Sequence, residues 1–440
     1  MRRSDVVLRR AILALLLAVA TSVSVGDDVG TAPDVRRGSR TIAVDLPEPF
    51  SPALLHVPRT QAAGVAIVLH AGGGPSLDRL LDTLAASTLV VPVDGSTADV
   101  RTSSCDTLID ALALASRQAQ REAGLTVYRP PVLVGLDAAA PLARGLLLAS
   151  EPDVFKSGIG EAGPATGVAG QAPCGPAAAV VDGLRWRDVP ASNLPVEAAA
   201  LLERPAERPT TGHAPLDRWL THFALPMTAE WVARPRAVTV LMSDARVLRQ
   251  PHPRLAARLA EAGVSVLTID ALQYFWQRRS PRDVAFELRR LLGALESLSV
   301  PVLVGGLGSG AETMAVAVRH MEDRPVDGLV LIAPGPSAFF EVDPPLPALV
   351  PLIRADWSTA EAVEMLAVPT LCASSGDARA GHVCEQLARF PYVRVAHGRP
   401  AAASRDEDAE LAALIVDLAR RAGSRHDDTT APAQPRKPST

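Results

Sequence analysis

The residues with the clearest chemical potential form a glycine-rich turn behind an apolar run. The run Val300–Gly305 leads into Gly306-Leu307-Gly308-Ser309-Gly310, which opens a helical pattern. A strand, a G-x-S-x-G turn and a helix in this order present a nucleophilic serine above a sheet for acyl transfer. Here Gly308 fills the position of that serine, and Ser309 follows one residue later. The turn therefore predicts a hydrolase scaffold without its usual nucleophile.

Catalysis at Ser309 would require a base and an acid from later strands. In hydrolases with this turn, an acid and then a histidine follow in chain order. Asp377 follows the strand-like run Pro369–Ser374, and His397 ends the run Val393–His397. One interpretation pairs Ser309 with His397, which Asp377 orients. The other makes Ser309 the cap of its helix, His397 a surface side chain and Asp377 a turn residue.

The first half of the chain contains two comparable motifs. After Val65–Leu69, the segment His70-Ala71-Gly72-Gly73-Gly74 resembles the glycine loop that supplies oxyanion-binding N–H groups in esterases. After Val132–Val134, Asp137 fills the nucleophile position of Gly135-Leu136-Asp137-Ala138-Ala139. Because an aspartate can act as a nucleophile, Asp137 is a catalytic candidate. The alternative gives it a structural or ligand-binding role.

These motifs occupy corresponding places in two halves with one plan of elements. Apolar runs typical of buried parallel strands alternate with amphipathic helical segments in both halves. The stretch from Leu69 to Asp137 spans 68 positions, and that from Leu241 to Gly308 spans 67. We interpret this as a duplicated unit, the alternative being coincidence between two doubly wound domains. The predicted fold class is α/β, with two α/β-hydrolase-like doubly wound domains, the N-terminal one truncated.

Domain boundaries follow from this plan. We predict a signal peptide at 1–26, an N-terminal domain at 40–205, a linker at 206–235, a C-terminal domain at 236–423 and a disordered tail at 424–440. A basic start, a short apolar run and small residues after it are typical of a secretory signal. An uncleaved anchor is the alternative. The mature protein is therefore expected in the periplasm or outside the cell.

Net charge and cysteine content indicate the compartment and the class of partner. The net charge of −4 provides no basic field for nucleic acid. Four cysteines, Cys105, Cys174, Cys372 and Cys384, suit an oxidising compartment and allow three pairings. The short loop from Cys372 to Cys384 makes that pair the easiest to close, which would leave Cys105 with Cys174. No metal-binding spacing accompanies them, and neither a metal nor a cofactor is expected.

Several strings, taken in order, resemble the bacterial AcvB/VirJ virulence-factor family of periplasmic proteins. They are Leu272-Gln273-Tyr274-Phe275-Trp276, the elbow Gly306–Glu312, Ser337–Val342, and the segment from Cys372 through Asp377 to Cys384. The resemblance implies a C-terminal serine hydrolase that cleaves lysyl-phosphatidylglycerol at the outer face of the inner membrane.

This chain departs from the family pattern where the chemistry lies. The family's elbow serine corresponds to Gly308, and its Gly-Asp-Gly-Gly-Trp loop corresponds to Ser243-Asp244-Ala245-Arg246-Val247. Its Gly-His-His falls on Ala401-Ala402-Ala403, so that only the acid, Asp377, is kept.

Two functions therefore remain open, with a third less favoured. The chain is either an accessory envelope protein that lost its triad or a hydrolase with an unusual nucleophile such as Ser309; the third is a solute-binding protein with a cleft between two lobes. The implied partners are an aminoacylated phospholipid or an envelope protein, with peripheral membrane contact. Tyr274-Phe275-Trp276 would line a lipid groove or pack in the core. Arg278-Arg279 would meet phosphate head groups or form a solvated patch.

Overall fold

The computed structural model describes residues 39–50, 53–150, 154–161, 174, 186–203, 211–222, 225–245, 252–321, 326–342, 357–374, 378–397 and 405–430. These residues form two mixed sheets of seven strands each, packed against helices, and the predicted α/β class is confirmed. Among them, no helix combines the length and the apolar character needed to cross a membrane. The predicted signal peptide lies outside the described residues.

The first sheet is built from the N-terminal half. Its elements are β1 (Ser39–Val44), β2 (Ala53–Pro58), β3 (Gly64–His70), α1 (Pro75–Leu84), β4 (Thr88–Asp94), α2 (Ala98–Thr102), α3 (Cys105–Glu122), β5 (Val132–Gly135), α4 (Ala140–Ala149), β6 (Ser157–Glu161), β7 (Trp186–Val189) and α5 (Leu194–Glu203). The strand order is β1-β2-β4-β3-β5-β6-β7. Strands β3 to β7 run parallel, whereas β1 and β2 are antiparallel to their neighbours.

Alternating side chains bury both faces of this sheet. Along β3, Ile67 and Leu69 belong to the core that includes α3 and α4. Ala66 and Val68 belong to the opposite core, which includes α1 and α5. Because successive residues of a strand point to opposite faces, helices on both sides require nearly continuous apolar strands.

The second sheet is built from the C-terminal half. Its elements are α6 (Ala214–His222), β8 (Met227–Glu230), β9 (Ala237–Met242), α7 (His252–Glu261), β10 (Val264–Ile269), α8 (Ala271–Tyr274), α9 (Pro281–Leu295), β11 (Val302–Leu307), α10 (Ser309–Arg319), β12 (Gly328–Ile332), α11 (Thr359–Leu366), β13 (Thr370–Ser374), α12 (Ala378–Leu387), β14 (Val393–His397) and α13 (Arg405–Thr430). The strand order is β14-β13-β12-β11-β9-β10-β8. Local sequence sets the helix starts: Ser280 and Asp283 form a reciprocal capping box at α9, with Pro281 in its first turn.

The two sheets share a central strand order, which agrees with the duplicated plan. The run β4-β3-β5-β6-β7 in the first corresponds to β10-β9-β11-β12-β13 in the second, and an antiparallel strand flanks each. The first sheet has no counterpart of β14 among the described residues and gains β1 at its other edge. The predicted truncation therefore applies to one edge of the sheet and not to the number of strands.

Two predicted segments differ from the structure. The linker at 206–235 contains α6 and β8, and β8 pairs antiparallel with β10 as part of the second sheet. The segment 206–235 contains several prolines and β8 is only four residues long, so the sequence pattern did not indicate a strand there. The pairing depends on β10, which lies elsewhere in the chain. The tail predicted from residue 424 begins as helix, because α13 continues to Thr430. Residues 431–440 lie outside the described part.

Both disulfides join elements within one unit. Cys105 at the start of α3 bonds to Cys174, with Cα atoms 4.9 Å apart. Cys372 of β13 bonds to Cys384 of α12, with Cα atoms 5.6 Å apart. Both separations are ordinary for a disulfide. The predicted pairing is confirmed.

Side chains from the N-terminal half complete the core of the C-terminal half. Tyr128 belongs to the large apolar cluster of the second sheet, and its ring centroid lies 5.1 Å from that of Trp276. The indole N–H of Trp276 donates to the carbonyl oxygen of Leu125 at 2.7 Å. The guanidinium of Arg121 lies 3.8 Å from the Trp276 ring centroid and donates to its carbonyl oxygen at 2.8 Å. The end of α3 and the loop after it are therefore fixed to the second unit.

Candidate functional site

The backbone of a nucleophile elbow is present at Gly308. This residue joins β11 to α10 with φ 51° and ψ −121°, a conformation that residues with a side chain rarely adopt. The turn is tight, since a Cβ on Gly306 would lie 2.5 Å from the carbonyl carbon of Gly310. A Cβ on Gly308 would overlap Oδ2 of Asp244. The space of a nucleophilic side chain is thus filled by a carboxylate from the loop after β9.

Ser309 is bound to that same loop. It is the first residue of α10, and its side chain makes no capping hydrogen bond; Gly308 is the N-cap residue. The Ser309 hydroxyl donates to Oδ1 of Asp244 at 2.6 Å and accepts the backbone N–H of Ala245 at 3.0 Å. Ser309 is 7% exposed. It therefore ties the β9 loop to the elbow, a role that neither sequence interpretation included.

These contacts use the groups that acyl transfer would need. In hydrolases of this fold, an N–H from the loop after the first central strand helps to stabilise the oxyanion. Here the N–H of Ala245 is bound to the Ser309 hydroxyl. The carbonyl oxygen of Ala245 accepts from Nη1 of Arg117 on α3 at 3.4 Å, so the N-terminal unit also contacts this loop. Asp244 and Arg117 were not predicted as site residues, although Asp244 matches the acid of the family's loop.

The predicted base and acid are not brought to Ser309 by any contact among the described residues. His397 ends β14 in an exposed position, and its Nδ1 lies 3.3 Å from the hydroxyl of Ser374. Asp377 lies outside the described residues, as does Ala401-Ala402-Ala403. The Ser309–His397–Asp377 triad stays a prediction.

Residues 237–342 match the family model described as bacterial virulence protein (VirJ). The predicted AcvB/VirJ resemblance is therefore confirmed for this part of the chain. The matched segment begins with β9 and includes Asp244, Trp276 and the elbow. It ends before the strand of His397.

Three solved structures are among those similar to this chain. TT1662 from Thermus thermophilus is 18% identical, covering 44% of this chain and 93% of that chain, with a TM-score of 0.32. The esterase domain of a Rhodothermus marinus protein is 15% identical, covering 44% and 91%, with a TM-score of 0.32. Est1E from Butyrivibrio proteoclasticus, solved with ferulic acid, is 11% identical, covering 44% and 95%, with a TM-score of 0.32. No curated protein matches the chain.

A second half-buried carboxylate lies in the matched segment. Asp270 follows β10 and accepts the backbone N–H of Gln273 at 3.0 Å and its side-chain amide at 2.6 Å. Burial raises the pKa of Asp270, although these hydrogen bonds and the charge of Arg117 act in the opposite direction. Ser243 accepts the N–H of Ala271 at 2.9 Å and so joins the β9 loop to the same helix, α8. These hydrogen bonds fix the position of the loop after β9 relative to the start of α8.

The N-terminal elbow keeps a carboxylate on the elbow residue itself. Asp137 has φ 50° and is exposed, so a side chain is retained in a conformation that costs of order 1–3 kcal/mol. Its N–H donates to Oε2 of Glu161, at the end of β6, at 3.2 Å. Burial raises the pKa of Glu161, and the neighbouring carboxyl of Asp137 raises it further. Both elbows therefore carry a carboxylate where a nucleophile would stand.

The glycine loop of the N-terminal half is open. Gly72 has φ +95°, and a Cβ added to Gly72, Gly73 or Gly74 would meet no atom within 4 Å. Nδ1 of His70 lies 3.0 Å from the carbonyl oxygen of Gly72. The loop lies at the same carboxyl edge of the sheet as Asp137, where ligands bind in open α/β sheets. The structure thus leaves room for a ligand there, while the roles of Gly72–Gly74 and Asp137 stay predictions.

The aromatic string of the VirJ-matching segment packs in the core. Tyr274, Phe275 and Trp276 are buried, which favours the packing interpretation over a lipid groove. Arg279 lies over the Tyr274 ring, 4.2 Å from its centroid, and pairs with Glu287 at 2.9 Å. Arg279 is therefore engaged internally and does not form a free basic pair with its neighbour.

Proposed function

We propose that this chain is a VirJ-type, hydrolase-fold protein of the cell envelope that does not hydrolyse esters at its C-terminal elbow and acts as an accessory binding protein. The observation that carries the proposal is the Asp244 carboxylate in the space of the nucleophile side chain at Gly308. A serine there would collide with Asp244, and the present serine is bound on both sides by Asp244 and Ala245.

Energetics favour a structural role for this cluster. Freeing the Ser309 hydroxyl for attack would break one hydrogen bond to a carboxylate and one from a backbone N–H. A hydrogen bond to a charged group contributes about 1.5–3 kcal/mol, and a neutral one about 1 kcal/mol. The reaction would begin by losing these bonds, and the oxyanion N–H would become available only after the same rearrangement.

One observation favours the competing function, an active hydrolase. A serine hydroxyl that donates to a carboxylate at 2.6 Å has an acceptor for its proton. Asp244 would then be the base and Ser309 the nucleophile, without a histidine. This alternative requires both groups to act on an ester, whereas the proposed function requires neither.

The compartment and partners complete the proposal. Two disulfides fit an oxidising compartment, which supports export by the predicted signal peptide. At the envelope, an aminoacylated phospholipid or an envelope protein is the proposed partner, with peripheral membrane contact.

The test is hydrolysis by purified mature protein of a short-chain nitrophenyl ester and of lysyl-phosphatidylglycerol in vesicles. We expect no turnover above buffer, with binding to the vesicles measured in parallel by co-sedimentation. Ser309→Ala and Asp244→Asn serve as probes, and Ser192→Ala, at an exposed serine of the N-terminal unit, is the matched control.

Turnover in the unmodified protein that both probes abolish, and the control does not, would overturn the proposal in favour of the hydrolase. Turnover that survives both probes but is lost in Asp137→Asn would assign it to the N-terminal elbow and also contradict an accessory role.

A further inference from the structure

A basic cavity lies at the edge of the first sheet where strands β3 and β5 begin. The glycine loop Gly72–Gly74 and the turn at Asp137 follow the opposite ends of these strands. The volume of the cavity is about 620 Å³. The lining comes from the end of β2, the loop after it, the loop between α3 and β5, and Arg40 of β1. A cavity of this size is typical of small-molecule sites, which range over roughly 300–1,000 Å³.

Three arginines line this cavity without a carboxylate. They are Arg40, Arg59 and Arg129, and none of the lining residues in the described part of the chain is acidic. Within that part, their guanidinium groups make no ion pair and no hydrogen bond. Like charges gathered around one cavity repel each other, and an anion bound between them would offset that repulsion.

The domain junction fixes one wall of the cavity. The buried side-chain amide of Gln120 on α3 accepts the backbone N–H of Arg129 at 2.9 Å and donates to its carbonyl oxygen at 3.0 Å. Trp276 of the second unit binds the carbonyl oxygen of Leu125 in the same loop. The loop that carries Arg129 is thus held at both ends, which reduces the conformational entropy lost when a ligand binds.

We propose that this cavity binds a phosphate group, with Arg40, Arg59 and Arg129 as its ligands. Guanidinium groups match phosphate oxygens with paired, charge-assisted hydrogen bonds, and three of them suit a dianion better than a single carboxylate. Apolar side chains share the lining, and Val127 beside Arg129 is 50% exposed. The phosphate belongs either to a soluble phosphate ester or to a phospholipid head group. The site is distinct from the elbows and does not depend on the proposed function.

The experiment measures binding of two probes to the purified mature protein at low salt. Glycerol 3-phosphate is titrated by calorimetry, and vesicles of phosphatidylglycerol and phosphatidylcholine are compared with vesicles of phosphatidylcholine alone by co-sedimentation. The variants are Arg59→Gln with Arg129→Gln, and Arg40→Gln as a separate variant on the edge strand. Arg101→Gln is the matched control, because Arg101 is an exposed arginine of the same unit on α2.

We expect the double variant to weaken binding at least about tenfold, Arg40→Gln to weaken it several-fold, and Arg101→Gln to leave it unchanged, with melting temperatures alike in all four proteins. This pattern with glycerol 3-phosphate identifies a soluble ester; the same pattern with phosphatidylglycerol vesicles alone identifies a head group. Absence of binding to both probes, or equal binding by the double variant and the unmodified protein, would overturn the proposal.

Discussion

Placing a methyl group on the C-terminal elbow tests the central feature of the site. In Gly308→Ala, the new Cβ would overlap Oδ2 of Asp244, and the residue would have to keep φ 51° and ψ −121°. The variant therefore combines backbone strain with displacement of the carboxylate that accepts from Ser309. No catalytic group is introduced, so the effect is on stability alone.

The expected loss follows from these two contributions. A side chain held in so sparsely populated a conformation costs of order 1–3 kcal/mol. Displacing Asp244 loses a hydrogen bond to a charged group, about 1.5–3 kcal/mol, of which part returns when the half-buried carboxylate reaches water. We expect the free energy of unfolding of the C-terminal unit to fall by about 3 kcal/mol.

Urea denaturation of a double-mutant cycle measures this. Asp244→Ala removes the overlapping atoms, so Gly308→Ala should be less destabilising in that background, with a coupling of at least about 1 kcal/mol. Gly293→Ala is the control, because Gly293 is exposed on α9 with nothing near its added Cβ, and alanine there should stabilise by about 0.5–1 kcal/mol. A loss below about 1 kcal/mol for Gly308→Ala, or strict additivity with Asp244→Ala, would refute the reasoning.

Three further predictions concern the fold. Trp276→Phe removes the hydrogen bond to Leu125 and leaves a smaller ring that binds the Arg121 guanidinium more weakly, so the free energy of unfolding should fall by about 2 kcal/mol; unchanged calorimetric transitions would contradict this. Opening the Cys372–Cys384 disulfide, which spans 12 positions, should destabilise by about 3 kcal/mol, and opening the first disulfide, which spans 69, by about 4 kcal/mol; equal urea midpoints for double-serine variants and the oxidised protein would argue against it. Burial raises the pKa of Tyr128 to about 12 and raises that of the two other tyrosines. The folded state therefore holds protons that the unfolded state releases, so this stabilisation is complete below pH 10 and is lost as the pH rises towards about 12. Tyrosinate absorbance of Tyr128 and Tyr274 should appear only on unfolding, and a normal titration of all three tyrosines near pH 10 would show that these two rings are not buried.

The sequence predicted the strands well because their signal is local. Val393–His397 has the bounds that its apolar run indicated, and the run Val65–Leu69 lies within β3. The elbow turn was also predicted from the sequence, because glycine tolerates a positive φ and Gly308 has φ 51°. The strand β8 inside the predicted linker was missed for the opposite reason. A four-residue strand such as β8 is stabilised by its partner β10, which begins at Val264, and no pattern within the strand reveals that pairing.

The candidate site shows the same division. Sequence identified Ser309, the glycine loop Gly72–Gly74 and Asp137 as positions of interest, but it placed Ser309 either with His397 or at a helix cap. The structure joins it to Asp244, whose position in the family's loop was visible but whose partner was not.

What the sequence by itself determined is the alternation of buried strands and helices and the elbow turn, since each depends on residue type and short spacing; for the cysteines it favoured only the short Cys372–Cys384 loop and left the connectivity open. What only the tertiary structure decided is the occupant of the elbow, the junction at Trp276 and the basic cavity around Arg129. These depend on contacts between residues far apart in the chain, such as Asp244 with Ser309 and Leu125 with Trp276. Such contacts form only when the chain has packed and the distance between these residues in space is fixed. The order of residues along the chain does not specify that distance.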